Sequence, residues 1–255
     1  MSRMTALRAG ALLCALVPAA AAAALAQAVD LRFTPSVGQV IRYKMTSQAW
    51  LSGDTTSAPM VTTMFQTRTV VSMDGPNYVV KTVTDSTISP MAGGRDPMRG
   101  MAVTQHLDPR GRVLSTEMTP PPGLPPFVAN MMQRNSGQNA NSNRTAILPD
   151  HPLNVGDTWT DTMVTSSSAG GRGRPQQVSF IVTYKLVRVE TQGGSRVAVI
   201  SMDGTEQGGA NGTVTGEMAL DLGAGRLAHM NSDMSFQPQP GAGTMRTKMT
   251  MELLP

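Results

Sequence analysis

Thr34-Pro35-Ser36-Val37-Gly38-Gln39-Val40 is answered far along the chain by Pro152-Leu153-Asn154-Val155-Gly156-Asp157-Thr158. Further on, Gly111-Arg112-Val113 is answered by Gly225-Arg226-Leu227. The first pair is offset by 118 positions (38 to 156) and the second by 114 (111 to 225). An offset that holds over so long a span predicts one β-rich unit used twice. The units fall at 29–118 and 149–255, joined by a connector at 119–148.

Outward from these anchors, short alternating segments are punctuated by Gly, Pro, Asn and Asp, the pattern of antiparallel β structure. Strands are expected over 40–51, 60–73, 78–88, 101–107 and 112–118 in the first unit. In the second they are expected over 158–167, 177–190, 195–206, 213–222, 226–236 and 245–253. Asp74-Gly75-Pro76-Asn77 and Asp108-Pro109-Arg110-Gly111 place turn formers between strands. Val178, Phe180, Val182, Tyr184 and Leu186 share one face, then the alternation switches to Val187 and Val189, predicting a bulge near Leu186. The connector opens on Pro120-Pro121-Pro122 and holds a short amphipathic helix near 126–134, followed by a Ser/Asn/Gln-rich linker. The expected fold is all-β and mainly antiparallel. Two related units form a curved sheet or incomplete barrel, with a short helix in the connecting segment.

Residues 1–28 read as a signal peptide. Arg3 and Arg8 form a basic n-region, residues 9–26 are apolar, and Ala24, Ala26 and Ala28 supply small residues for cleavage after Ala26 or Ala28. The run is Ala-rich and broken by Pro18, which favours removal over a retained anchor of about 20 apolar residues. The only cysteine, Cys14, lies inside it, so the mature chain has neither disulfide nor thiolate chemistry. Losing Arg3 and Arg8 lowers the formal charge from +4 to +2. The one basic cluster, Arg172-Gly173-Arg174-Pro175, sits in a hairpin tip and is no footprint for nucleic acid. The expected location is periplasmic or secreted, with no transmembrane segment after signal removal.

No catalytic constellation stands out. His106, His151 and His229 lack metal-site spacing, and no cofactor is implied. His106 and His229 are read as lying in corresponding parts of the two units. Methionine is the unusual resource, with 20 in the chain. Pairing Phe236 with Met245 sets Met234 against Thr247, Ser232 against Met249 and Met230 against Met251. One face then carries Met230, Met234, Phe236, Met245, Met249 and Met251, and the other His229, Asn231, Asp233, Arg246, Lys248 and Glu252. Thioethers on one face fit three uses: core filler, the lining of a cavity for an apolar ligand, or Cu(I) capture.

The run Leu148-Pro149-Asp150-His151-Pro152-Leu153-Asn154-Val155-Gly156-Asp157-Thr158-Trp159 resembles a motif of an uncharacterised family of exported bacterial β-rich proteins with a VGDxW-like signature. The family's earlier Gly-x-x-Tyr-like pattern compares with Gly38-Gln39-Val40-Ile41-Arg42-Tyr43. The resemblance implies a secreted β-rich protein and carries over no catalytic residues. The motif also reads physically: Val155 and Trp159 bury on either side of a Gly-Asp turn, and Tyr43 supplies the matching ring in the first unit.

These readings converge on a non-enzymatic periplasmic binding or carrier protein for an apolar small molecule or lipid. Its cavity would be lined by Met230, Met234, Phe236, Met245, Met249, Met251, Trp159 and Tyr43. The alternative is an envelope structural or protein-interaction module with a packed core, whose partner is an envelope protein.

Overall fold

The structure is a computed structural model that describes residues 28–50, 56, 58–136, 148–167, 176–207, 211–237 and 243–255. The expected signal peptide (apart from Ala28), Cys14 and the 172–175 tip lie outside the described residues.

Eleven strands form one antiparallel sheet that does not close. The first unit supplies β1 (Val40–Trp50), β2 (Met60–Asp74), β3 (Asn77–Ile88), β4 (Ala102–Leu107) and β5 (Val113–Thr119). The second supplies β6 (Thr158–Ser167), β7 (Gln176–Gln192), β8 (Ser195–Glu206), β9 (Thr213–Asp221), β10 (Arg226–Phe236) and β11 (Met245–Leu254). The order is β5-β4-β3-β2-β1-β11-β10-β9-β8-β7-β6, so each unit is a meander of hairpins. The units meet where β11 pairs with β10 on one side and β1 on the other. A helix, α1 (Pro126–Ser136), opens with Pro at its first position and rests against β5.

The repeat is written in the hydrogen bonds. Gly38 N–H donates to the Val70 carbonyl and Gly156 N–H to the Leu186 carbonyl, each at 2.8 Å. Gln39 N–H reaches Ser36 O and Asp157 N–H reaches Asn154 O, each at 3.0 Å. Both glycines have positive φ (81° and 102°), so the turn that launches each unit's first strand favours a residue without Cβ. Immediately after Val70 and Leu186 both long strands bulge, at Val71 and Val187, and both extra side chains are exposed. A bulge sharpens local twist, and one at matching points of both units bends the sheet on both sides. The later turns also match: Asp108 Oδ1 accepts the N–H groups of Arg110 and Arg112, and Asp221 Oδ1 those of Gly223 and Ala224.

Three sequence expectations need correcting. Val155 is exposed, at 48%; it lies in the loop before the turn, where nothing packs it into the core. Trp159 corresponds to Ile41, not Tyr43, because each stands three residues after its turn glycine and pairs with the residue two before the Val70 or Leu186 position. His106 and His229 are not counterparts. His106 pairs with Val79 as Ala219 pairs with Val199, and His229 lies opposite Ala219 one strand further on.

The main core lies on the concave face of the second half. Phe180, Leu186, Ile200, Met218 and Leu220 are closed over by Val29, Leu31, Leu148 and Leu153 from the two segments that precede the units. Val29 and Leu153 form a bridge with N···O distances of 2.7 and 2.9 Å. Arg110 ties this strap down through the Asp30 carboxylate (2.7 Å) and the Leu31 carbonyl. A smaller core of Val70, Tyr78, Val80 and Leu107 sits in the first half, with Phe33 packed against it.

Candidate functional site

Cross-strand register decides which side chains share the concave face, because directly opposed residues point the same way. Phe236–Met245, Met234–Thr247, Ser232–Met249 and Met230–Met251 are paired as the hairpin reading expects. The neighbouring strands extend the pattern. Met251 faces Met45, Met45 faces Met64, and Met230 faces Met218. Met64, Met45, Met251, Met230 and Met218 therefore stand side by side across five strands. Four strand spacings of about 4.8 Å make this row roughly 19 Å long. Met218 is buried in the core, and the other four are half-buried.

Two residues along each strand the row changes character, to Thr62, Ser47, Met249, Ser232 and Gly216. Two further along it becomes Met60, Ala49, Thr247, Met234 and Val214. Gly216 has a crowded face, since a Cβ there would meet Met202 Cε at 2.6 Å. Short side chains thus alternate with long flexible ones, and none of the fifteen residues in these rows is ionisable. Such a surface offers dispersion and apolar area, with thioethers able to adapt to the shape of whatever packs against them.

The remaining expected site residues have distinct places. Phe236 is in the core, edge-on to Phe180 with centroids 6.4 Å apart at 83°. Met230, Met234, Met245 and Met251 pack against that core while half exposed, and Met249 is half-buried in the short-side-chain row. Trp159 stacks on Tyr184 at 5.3 Å and 19°. Tyr43 is buried, and its hydroxyl donates to the Leu227 carbonyl at 2.8 Å, reaching from β1 across β11 to β10. Burial pushes its phenol up, against the pull of Arg68 and Arg226.

The opposite face is polar. Arg246 makes a two-point contact with Asp233 at 2.9 and 2.6 Å, Lys248 stands 3.7 Å from the same carboxylate, and Lys44 lies 3.5 Å from Glu252. The Arg246 hydrogen bonds hold the Asp233 carboxyl below its ordinary range, against a weaker upward push from burial.

Sequence reasoning missed Met45, Met64 and Met218 as members of the row. Alternation put each on a strand face, but only long-range pairing sets them beside Met230 and Met251. It also missed a cleft of about 40 Å³ at another part of the concave face, where the Gly225–Leu227 segment meets the first unit. The cleft touches none of the methionines and is lined by Arg68, Tyr78 and Arg226 among others. No group of three His, Asp, Glu or Cys among the described residues is placed to hold a metal ion. No helix among them is long and apolar enough to cross a membrane.

The chain matches no protein-family model, no curated protein and no solved structure.

Proposed function

We propose that this chain is an exported, non-enzymatic carrier that holds a lipid acyl chain against the methionine rows of its concave face. One observation carries the reading. Five methionines from five different strands stand opposite one another, and four are left half-buried instead of sealed into the core. Filler methionine has no reason to collect in one row, whereas an adaptable lining for a flexible apolar chain does. The roughly 19 Å row suits an extended chain lying across the strands. The basic n-region, apolar run and small residues of 1–28 support export.

The test uses N-phenyl-1-naphthylamine, an uncharged apolar fluorophore, together with native mass spectrometry of protein taken from its host envelope. Saturable fluorescence enhancement and a co-purifying lipid are expected. Met45→Lys and Met251→Lys weaken dye binding by about tenfold or more, whereas Met251→Leu and the opposite-face change Lys248→Met leave it near the starting value. Absence of saturable uptake, or equal binding by the Lys variants with their circular dichroism intact, overturns the proposal.

A further inference from the structure

We infer that the cleft between the two halves binds a small oxyanion, a carboxylate or a phosphate, gripped by Arg68, Tyr78 and Arg226. The reading is independent of the methionine rows, which the cleft does not touch.

Three hydrogen-bond donors converge on this cleft without an acceptor. Arg68 projects from β2 onto the concave face and has no hydrogen bond or ion pair among the described residues. The Tyr78 hydroxyl has no hydrogen-bond partner among them either. Arg226 Nε is buried and unpartnered. Its nearest carboxylate oxygen, on Asp221, is 3.9 Å away, beyond hydrogen-bond reach. The other Asp221 oxygen is engaged by the N–H groups of Gly223 and Ala224. On the far side Asp108 is committed in the same way to Arg110 and Arg112. Among the described residues Arg226 Nε is a buried donor left unpaired, which folded proteins rarely tolerate, and Arg68 and the Tyr78 hydroxyl line the same cleft without a protein acceptor, so one acceptor from outside would serve all three.

The chemistry selects an anion over solvent. Water satisfies donors but leaves the Arg68 charge without a counter-ion, whereas a carboxylate or phosphate takes charge-assisted bonds from both arginines and a neutral one from the phenol. Burial raises the Tyr78 pKa to about 12, against the pull of Arg68, so the phenol remains a donor at neutral pH. A cleft of about 40 Å³ has room for roughly three waters at 10–15 Å³ each, which a small oxyanion displaces.

The repeat shows that this is a departure from the shared plan. The second-unit counterpart of Arg68 is Tyr184, which stacks on Trp159, and the counterpart of Tyr78 is Ala198. Where the second unit fills the position with two rings, the first has a cation and a phenol facing open space.

Calorimetric titration of the mature protein with inorganic phosphate in chloride-only buffer tests the inference. Saturable one-to-one binding is expected. Arg68→Gln weakens it about tenfold or more and Tyr78→Phe, which keeps the ring, by about fivefold. Arg112→Gln, at the matching turn of the first unit and exposed, binds as the unaltered protein does. No saturable binding refutes the inference, as does unchanged binding by folded Arg68→Gln and Tyr78→Phe. Equal weakening by Arg112→Gln refutes it too, because that marks diffuse attraction. A parallel titration with dihexanoyl phosphatidic acid locates the source: tighter binding than inorganic phosphate supports a lipid headgroup, and no gain supports a free anion.

Discussion

Gly225→Ala, set against Gly38→Ala, separates the cost of a strained backbone from the cost of lifting the N-terminal strap. Both glycines have positive φ, 56° and 81°. Either alanine therefore costs about 1–2 kcal/mol for a left-handed conformation. At Gly38 the added methyl meets nothing within 4 Å, so that figure is the whole expected loss. At Gly225 the methyl runs into the Thr34 backbone, with Cα at 2.8 Å and the amide nitrogen and hydroxyl closer still. Backbone cannot rotate away as a side chain does, and forced overpacking adds about 1–3 kcal/mol. Urea unfolding followed by far-ultraviolet dichroism measures both variants on one scale. Gly225→Ala is expected to lose about 1–3 kcal/mol more than Gly38→Ala, and the Val29 and Phe33 amides exchange faster in it alone. Equal losses in the two variants, or unchanged strap exchange, refute the claim that the 221–226 turn and residues 28–35 hold each other in place.

Tyr43→Phe leaves the buried Leu227 carbonyl without its donor and is expected to cost about 1–3 kcal/mol, read as a lower urea midpoint at unchanged slope. Asp233 has a depressed folded pKa, so its pairing with Arg246 stabilises the protein above the unfolded carboxylate value near 4 and the benefit disappears as pH falls through the folded value. The stability gap between the protein and Asp233→Asn should therefore be flat above about pH 5 and shrink on further acidification; a gap that grows below pH 4 contradicts the assignment.

Strands were legible because their signals are local. Alternation marks a half-buried strand, and Gly, Pro and Asp mark its ends. Thus β6, β8 and β10 run over the residues expected for them, and the bulge lies where the alternation of β7 breaks. The β10–β11 register was legible too, since a hairpin's two strands are close in sequence. The pairing of β1 with β11 was not, for no local pattern records which distant edge a strand will meet. The counterpart of Trp159 was legible in the repeat itself, since an offset of 118 carries it to Ile41 and not to the nearby ring of Tyr43. Arg68 was also visible in principle. It falls on the same parity of β2 as Met60, Met64 and Val70, and a cation on the core-facing side of a strand marks a place where packing is incomplete.

Because β11 is the seam, the ten residues Met245–Leu254 are the midline of the whole sheet. Losing this one strand would unzip the middle, stranding two five-strand ribbons each with a raw inner margin open to foreign pairing. Chain order adds a temporal side: β1 precedes every other strand and β11 follows them all, so β1 has one side unpaired until the whole of both units has been made. Joining strands so distant in sequence makes the seam a slow, long-range step of folding, and the chain is exposed to wrong pairings until it forms.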